Sequence, residues 1–262
     1  MTSRKQQMRP LFKPLPWWGW LVAVLLGGLI HYSAMEMKAN RMTSGLELSL
    51  EKNYGLFTIS DMEKKVERYL GRPINKLKVK DLNLSGLETY LDKNPFVEDA
   101  DAFINADDIL FVLIKMRQPV VRLMDFNGNS QFMDSEGVLM PVNEQYTIRV
   151  PVATGMHLVL NESEDEAEKW MKQLHELAEA IQQDSFMWNL TEQIHLNEDK
   201  DFVIIPKLGR ERIIVGDATR LDEKFEKLKL FYREGIRRTG FGKYRSINLK
   251  FSDQVIGKLK NT

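Results

Sequence analysis

Residues 81–123 read DLNLSGLETYLDKNPFVEDADAFINADDILFVLIKMRQPVVRL, and this stretch decides the fold. Leu84, Leu87 and Leu91 recur at helical spacing, so they form the apolar face of a helix over about residues 84–93. Asn94-Pro95 ends it, because proline disfavours helical geometry in the residue before it. Residues 97–105 then read as a strand and Asp107-Asp108 as a turn. Residues 109–117 are a second strand. Leu110, Val112, Ile114 and Met116 share one face of it, and Phe111, Leu113, Lys115 and Arg117 the other.

Upstream, Leu46, Leu48 and Leu50 alternate with Glu47, Ser49 and Glu51, the pattern of a half-buried strand. Ser60, with Glu63 three residues on, reads as a capping box that opens a helix. Met62, Val66, Tyr69 and Leu70 give that helix its buried face, and Gly71 and Pro73 stop it. The order over residues 46–118 is therefore strand, helix, helix, strand, strand.

Further upstream, no charged side chain occurs from Trp17 to Met35. As a helix this segment spans about 27 Å, close to the ~30 Å hydrocarbon core of a bilayer. Trp17, Trp18 and Trp20 stand at one end and Tyr32 at the other, which suits interfacial aromatic belts. Residues 1–16 carry Arg4, Lys5, Arg9 and Lys13 and no acid. The positive-inside rule makes them a cytoplasmic tail, residues 17–35 a transmembrane helix, and the rest extracytoplasmic. A cleaved signal peptide is the competing reading. Tryptophans ahead of the apolar core and the lack of a clean A-x-A site after it weigh against cleavage.

Downstream, residues 120–124 read as a strand followed by an Asn127-Gly128 turn. Short strands fall near residues 131–134, 138–141 and 149–152, and a helix covers about residues 162–183 with Trp170, Leu174, Leu177 and Ile181 on its buried stripe. Strands follow near 188–196, 202–205 and 212–215. Asp217 reads as the cap of a helix over about 218–234, whose buried face holds Leu221, Phe225, Leu228 and Phe231. Two closing strands lie near 246–251 and 255–259. The fold class is α+β: one transmembrane helix, a βααββ domain, then a mixed α/β domain dominated by antiparallel sheet. The domain limits are 46–118 and 119–257, with 258–262 as a tail.

Bulk chemistry narrows the function. The 262 residues hold 37 Lys plus Arg against 37 Asp plus Glu, so no charge field favours nucleic acid. There is no cysteine, hence no disulfide, thiolate metal site or cysteine nucleophile. His31, His157, His175 and His195 have no zinc spacing. His175-Glu176 lacks the second histidine that a zinc protease helix needs, and reads as a solvated helix face. Residues 125–129 carry too few carboxylates for a calcium loop, and Asp107-Asp108 is read as a hairpin turn rather than a cation site. No G-x-S-x-G elbow or phosphate loop with lysine occurs. The basic run Arg233, Arg237, Arg238, Lys243 and Arg245 reads as a solvated helix end, with contact to acidic partners or polymer as the alternative. No cofactor and no metal are expected, and the chemistry left is binding. An unpaired edge strand offers backbone groups that a partner strand can satisfy.

The leucine-rich second helix, the Pro95-Phe96-Val97 step, the strand pair and the Arg117-Gln118-Pro119-Val120 exit together resemble a POTRA domain of the division-protein type. The later turn residues Asp134, Gly137 and Pro141, the stretch IRVPVATG and the closing SINLKFSDQVIG extend the likeness along nearly the whole chain. The chain thus resembles the FtsQ/DivIB family of bacterial cell-division proteins. That resemblance implies a non-enzymatic, single-pass scaffold of the cytoplasmic membrane at the division septum. It implies partners of the FtsB and FtsL coiled-coil type, captured by a C-terminal edge strand, and other division proteins at the POTRA face. Carried over position by position, the partner surface falls on Lys250, Phe251, Ser252, Asp253 and Gln254. The family tends to Arg-Tyr at the first two and small residues after, so Asp253 and Gln254 depart from its pattern. Core packing is the other reading of Phe251. A POTRA-bearing envelope assembly or secretion component, and an envelope hydrolase, are the alternative functions.

Overall fold

The computed structural model describes residues 16–55, 57–142, 148–160, 162–236, 240 and 242–260. The expected basic tail, with Arg4, Lys5, Arg9 and Lys13, lies outside the described residues, as do Arg237 and Arg238 of the basic run.

Helix α1 (Trp17–Ala39) runs longer than its uncharged segment. Its apolar stretch Trp17–Met37 is 21 residues long and almost unburied by the rest of the chain. At about 1.5 Å per residue it reaches ~31 Å, enough to cross a hydrocarbon core.

A three-stranded sheet follows, in the order β1-β3-β2. Strand β1 (Gly45–Glu51) pairs in parallel with β3 (Ile109–Met116), and β2 (Val97–Ile104) pairs antiparallel on its other side. Two helices, α2 (Ile59–Leu70) and α3 (Leu84–Asp92), connect β1 to β2. Met62, Val66, Leu87 and Leu91 from the helices pack with Leu110, Val112, Ile114 and Met116 of β3, all buried. The period of two in β3 therefore sorts its side chains as the sequence requires.

The start of α2 differs from expectation. Thr58, not Ser60, is the N-cap: its hydroxyl accepts from the Asp61 N–H at 3.2 Å, and the Asp61 carboxylate accepts from the Thr58 N–H at 3.0 Å. Ser60 lies inside the first turn. Thr58 has the extended backbone (φ −90°, ψ 159°) that an N-cap needs. Both ends are capped, since Gly71 closes the helix in the left-handed region at φ 66°.

The rest of the chain builds a nine-stranded sheet from β4 (Pro119–Met124), β5 (Ser130–Asp134), β6 (Leu139–Pro141), β7 (Val152–Thr154), β8 (Thr191–Leu196), β9 (Phe202–Pro206), β10 (Arg212–Gly216), β11 (Tyr244–Asn248) and β12 (Ile256–Leu259). Their order is β12-β11-β10-β9-β8-β7-β4-β5-β6. Most neighbours are antiparallel, but β10 with β11, β7 with β8 and β4 with β7 are parallel. Four helices supply the crossovers: α4 (His157–Leu160), α5 (Glu164–Gln183), α6 (Ser185–Leu190) and α7 (Leu221–Phe231). Trp170, Leu174, Leu177 and Ile181 of α5, with Phe225 and Leu228 of α7, cover Ile194, Leu196, Phe202, Ile204, Ile213, Val215 and Ile247. Phe132 and Met140 join the core of the first sheet instead, so the two units share packed surface.

Several expected boundaries move. Residues 188–190 are helical, not strand, because Asp184 accepts from the N–H groups of Phe186 and Met187 and starts α6. Helix α5 starts at Glu164, with Ser163 as its N-cap accepting from the Glu166 N–H. Asp217 does not cap α7. Arg220 is its N-cap, in the left-handed region at φ 51°, and Asp217 instead accepts from Thr219 and Lys224. After Phe231 the helix widens into a π turn over Tyr232–Ile236. Lys258 and Leu259 belong to β12 rather than to a tail.

Candidate partner-binding surface

Each sheet ends in strands with one bonded neighbour, and β12 is an end of the larger sheet. Its inner side pairs with β11, Ile247 facing Gly257 and Asn248 facing Ile256. The Lys260 N–H still donates inward to the Lys243 carbonyl at 3.0 Å. Strand alternation therefore turns the Leu259 N–H outward, away from β11. Ile256 and Leu259 are 42% and 58% exposed. Gly257 is roofed by aromatic rings: a Cβ there would meet Tyr244 Cε1 at 2.7 Å and Phe231 Cζ at 3.1 Å. Tyr244 and Phe231 meet edge to face at 5.1 Å. The rings cover the glycine that a side chain would otherwise protect, which pins this edge in register.

The other edges are blunted. Strand β6 is three residues long and ends in Pro141, which has no N–H to offer. On β2 the outward Ala102 N–H donates to the Glu88 carboxylate at 2.9 Å, and Asp92 takes a hydrogen bond from the Ala100 backbone. Burial raises the Asp92 carboxyl, as do its acidic neighbours Asp99, Glu88 and Asp101, and the Ala100 bond works against them. Strand β1, whose charged Glu47 and Glu51 discourage pairing, is the remaining end.

Lys250, Phe251, Ser252, Asp253 and Gln254 do not lie in a strand. They form the connection between β11 and β12, which corrects the expectation of an edge strand there. Strand β11 stops at Asn248 because the Lys250 N–H turns back to the Asn248 side chain at 2.9 Å. The connection is fastened to α7. Lys227 Nζ donates to the carbonyls of Phe251 (2.7 Å) and Ser252 (2.9 Å), and Arg220 Nη1 donates to Ser252 Oγ at 3.0 Å. Lys250 reaches Asp201 at 2.8 Å. Phe251 is 45% exposed, so it is not a core residue. The five residues thus stand as a fixed corner at the start of the open edge.

Lys227 and Arg220 escaped the reading of the sequence. Lys227 sits four residues after Glu223, a spacing that reads as an ordinary exposed helix pair, and the 3.1 Å contact is indeed made. Nothing local announces that the same ammonium also binds a loop 24 residues away.

The remaining sequence candidates resolve into structural roles. His175 Nε2 contacts the Ser135 carbonyl at 3.0 Å and docks α5 on the β5–β6 turn. Asp125 Oδ1 accepts from the N–H groups of Asn127 and Asn129 in a closed turn. The Asn129 side chain adds a further bond and leads in lowering the Asp125 carboxyl. Asp108, at φ 61°, pairs with Arg41 at 3.4 Å. Among the described residues no group of three or more His, Asp or Glu is placed to hold a metal ion.

A search of curated proteins finds no match to this chain. A family model described as FtsQ/DivIB, C-terminal related, matches residues 118–258, from the exit of β3 through most of β12. The match covers the whole nine-stranded sheet apart from Leu259. It covers more than half of the chain, so the protein belongs to the FtsQ/DivIB family, a family of non-catalytic bacterial cell-division proteins.

Proposed function

We propose that this protein is a divisome scaffold anchored by α1, and that it captures a coiled-coil pair of the FtsB–FtsL type by strand addition at β12. The observation that carries this reading is the edge itself. It has an outward N–H at Leu259, exposed Ile256 and Leu259 side chains, and an aromatic roof over Gly257. Main-chain bonds along such an edge supply affinity, and flanking pockets supply register. The 250–254 corner, with Phe251 exposed and its backbone held by Lys227, is where a partner's preceding helix would meet the domain.

In the same reading α1 crosses the cytoplasmic membrane once, with residues 1–16 inside and both sheets outside. Residues 45–116 act as a POTRA-like module, a description supported by their βααββ order. That module faces other division proteins, and the assembly helps to control septal cell-wall synthesis at the septum. The boundary between the two modules is read between Met116, the last residue of β3, and Pro119, where β4 begins; β1 starts one residue before 46 and β12 runs two residues past 257.

Co-purification of the full chain with FtsB- and FtsL-type partners from membranes tests the proposal. Leu259→Pro removes the outward N–H without touching the β11–β12 bonds, and should abolish capture. Phe251→Asp should weaken it more than Lys200→Ala, a change at a part-exposed lysine that pairs with Glu162. Equal recovery with all three variants, each folded by circular dichroism, would refute strand addition at this edge.

A further inference from the structure

The connection between α2 and α3 carries a concentrated positive charge. Residues 71–81 read GRPINKLKVKD, with Arg72, Lys76, Lys78 and Lys80 against the single acid Asp81. Arg72, Lys76 and Lys80 are exposed and Lys78 half-buried. None of the four forms an ion pair among the described residues.

This basic segment is locked to the exit of α1. The Val79 N–H donates to the Arg41 carbonyl at 3.0 Å, and the Thr43 N–H to the Leu77 carbonyl at 2.9 Å. Met42 and Lys78 bridge as antiparallel partners. The Thr43 hydroxyl, buried at 2% exposure, contacts the carbonyls of Ile74 and Leu77. The 3-10 turn Val79–Asp81 packs against α1 itself. Arg41 is held in turn by Asp108 at 3.4 Å.

Distance then decides the environment. Arg41 follows the last residue of α1, Ala39, by two residues, a step of at most ~7 Å. The headgroup layer adds about 5–7 Å beyond the hydrocarbon on each side, and the Debye length at physiological salt is ~8 Å. Ala39 lies about 3 Å past Met37, the end of the apolar stretch, so a segment hydrogen-bonded to Arg41 and Thr43 stays within about a Debye length of the headgroups when α1 spans the bilayer. Unpaired lysines at that level are attracted to anionic lipid.

We propose that residues 72–80 form a cationic collar that binds the headgroups of anionic phospholipids in the leaflet facing the two sheets. The collar sets the tilt of the domain on its anchor. This inference rests on the reading of α1 as a membrane-spanning helix.

The absence of cysteine allows a clean test. Asn75→Cys, between the lysines, and Asn127→Cys, in the β4–β5 turn, are each labelled with a polarity-sensitive fluorophore on the full chain. The protein is reconstituted into vesicles of phosphatidylcholine alone or with phosphatidylglycerol added, doped with headgroup-quencher lipid. The label at position 75 should be quenched more strongly in the anionic vesicles, and raised salt should reverse the difference. The triple change Arg72→Glu, Lys76→Glu, Lys80→Glu should return quenching to the level of neutral vesicles, with the label at position 127 unaffected throughout. Equal quenching in both vesicle types, or no response to the charge reversal, overturns the collar while leaving the anchor intact. Extraction of the chain from vesicles by alkaline wash would instead overturn the anchor, and the collar with it.

Discussion

Arg117 Nη1 donates to Asp134 Oδ2 at 2.9 Å, joining the exit of β3 to the end of β5 across the boundary between the two sheets. Asp134 is 1% exposed, and its other oxygen accepts from the Glu136 N–H at 2.9 Å and the Val138 N–H at 2.7 Å. Arg117 also reaches Glu136 at 3.1 Å. One guanidinium thereby neutralises the carboxylate that shapes the β5–β6 turn, and ties that turn to the first domain.

Removing that guanidinium leaves a buried carboxylate without its cation. Arg117→Ala should destabilise the protein by about 3 kcal/mol, while Arg117→Lys should recover part of the loss because the positive charge survives on a shorter reach. Urea unfolding of the detergent-solubilised chain measures both. A cost for Arg117→Ala no larger than that of an exposed surface change would contradict the latch.

The helix cap of α2 separates two readings of its start. Thr58→Ala should cost about 1 kcal/mol, since it removes one half of a reciprocal capping box. Ser60→Ala should be close to neutral. The opposite ranking in thermal melts would return the cap to Ser60.

Asp217 makes stability depend on acid pH. Partial burial pushes its carboxyl up, but hydrogen bonds from Thr219 and Lys224 outweigh this and hold it at about 2. An unfolded aspartate titrates near ~3.9. The folded carboxyl lies below the unfolded one, so its contribution is fully present above about pH 4 and fades as pH falls toward 2. The side chain is 53% exposed, so solvent screening keeps the effect modest. The Asp217→Asn variant should be less stable than the parent at pH 6, and the gap should narrow by pH 2.5. A gap independent of pH across this window would rule out the carboxylate as its source.

Gly155 is a position for which only glycine serves. Its φ is +84°, and a Cβ would stand 2.1 Å from the Leu196 carbonyl oxygen. Gly155→Ala should cost more than ~2 kcal/mol, from left-handed strain plus displacement of β8. A melting temperature unchanged from the parent would show that the two strands can part freely.

The aromatic roof over the open edge needs a ring and not a hydroxyl. Tyr244→Ala should lower stability by about 2 kcal/mol and loosen β12, whereas Tyr244→Phe should be tolerated. Faster amide exchange at Gly257 in the alanine variant alone is the expected signature.

The periodic elements were legible because burial acts on them through local spacing. Leu84, Leu87 and Leu91 share a helix face at any position in space, and Leu110 through Met116 alternate whatever they pack against. The uncharged run from Trp17 likewise reads as one helix long and apolar enough to cross a bilayer, by length and composition alone. Boundaries set by side-chain to backbone bonds were less legible. At the starts of α2 and α6 several side-chain oxygens could cap, and only the final backbone geometry selects Thr58 over Ser60 and puts Asp184 ahead of residues 188–190; at α7 the left-handed backbone of Arg220, with no side-chain cap, displaces Asp217. The candidate surface was hardest to read. The family resemblance puts residues 250–254 on a partner-binding edge strand, but Lys227 and Arg220 hold Phe251 and Ser252 in a corner, and the open edge begins at Ile256. Local pattern reports what a residue can bury. Which backbone groups remain unpaired depends on strands distant in sequence, so the sheet order of the folded chain decides where a partner can add.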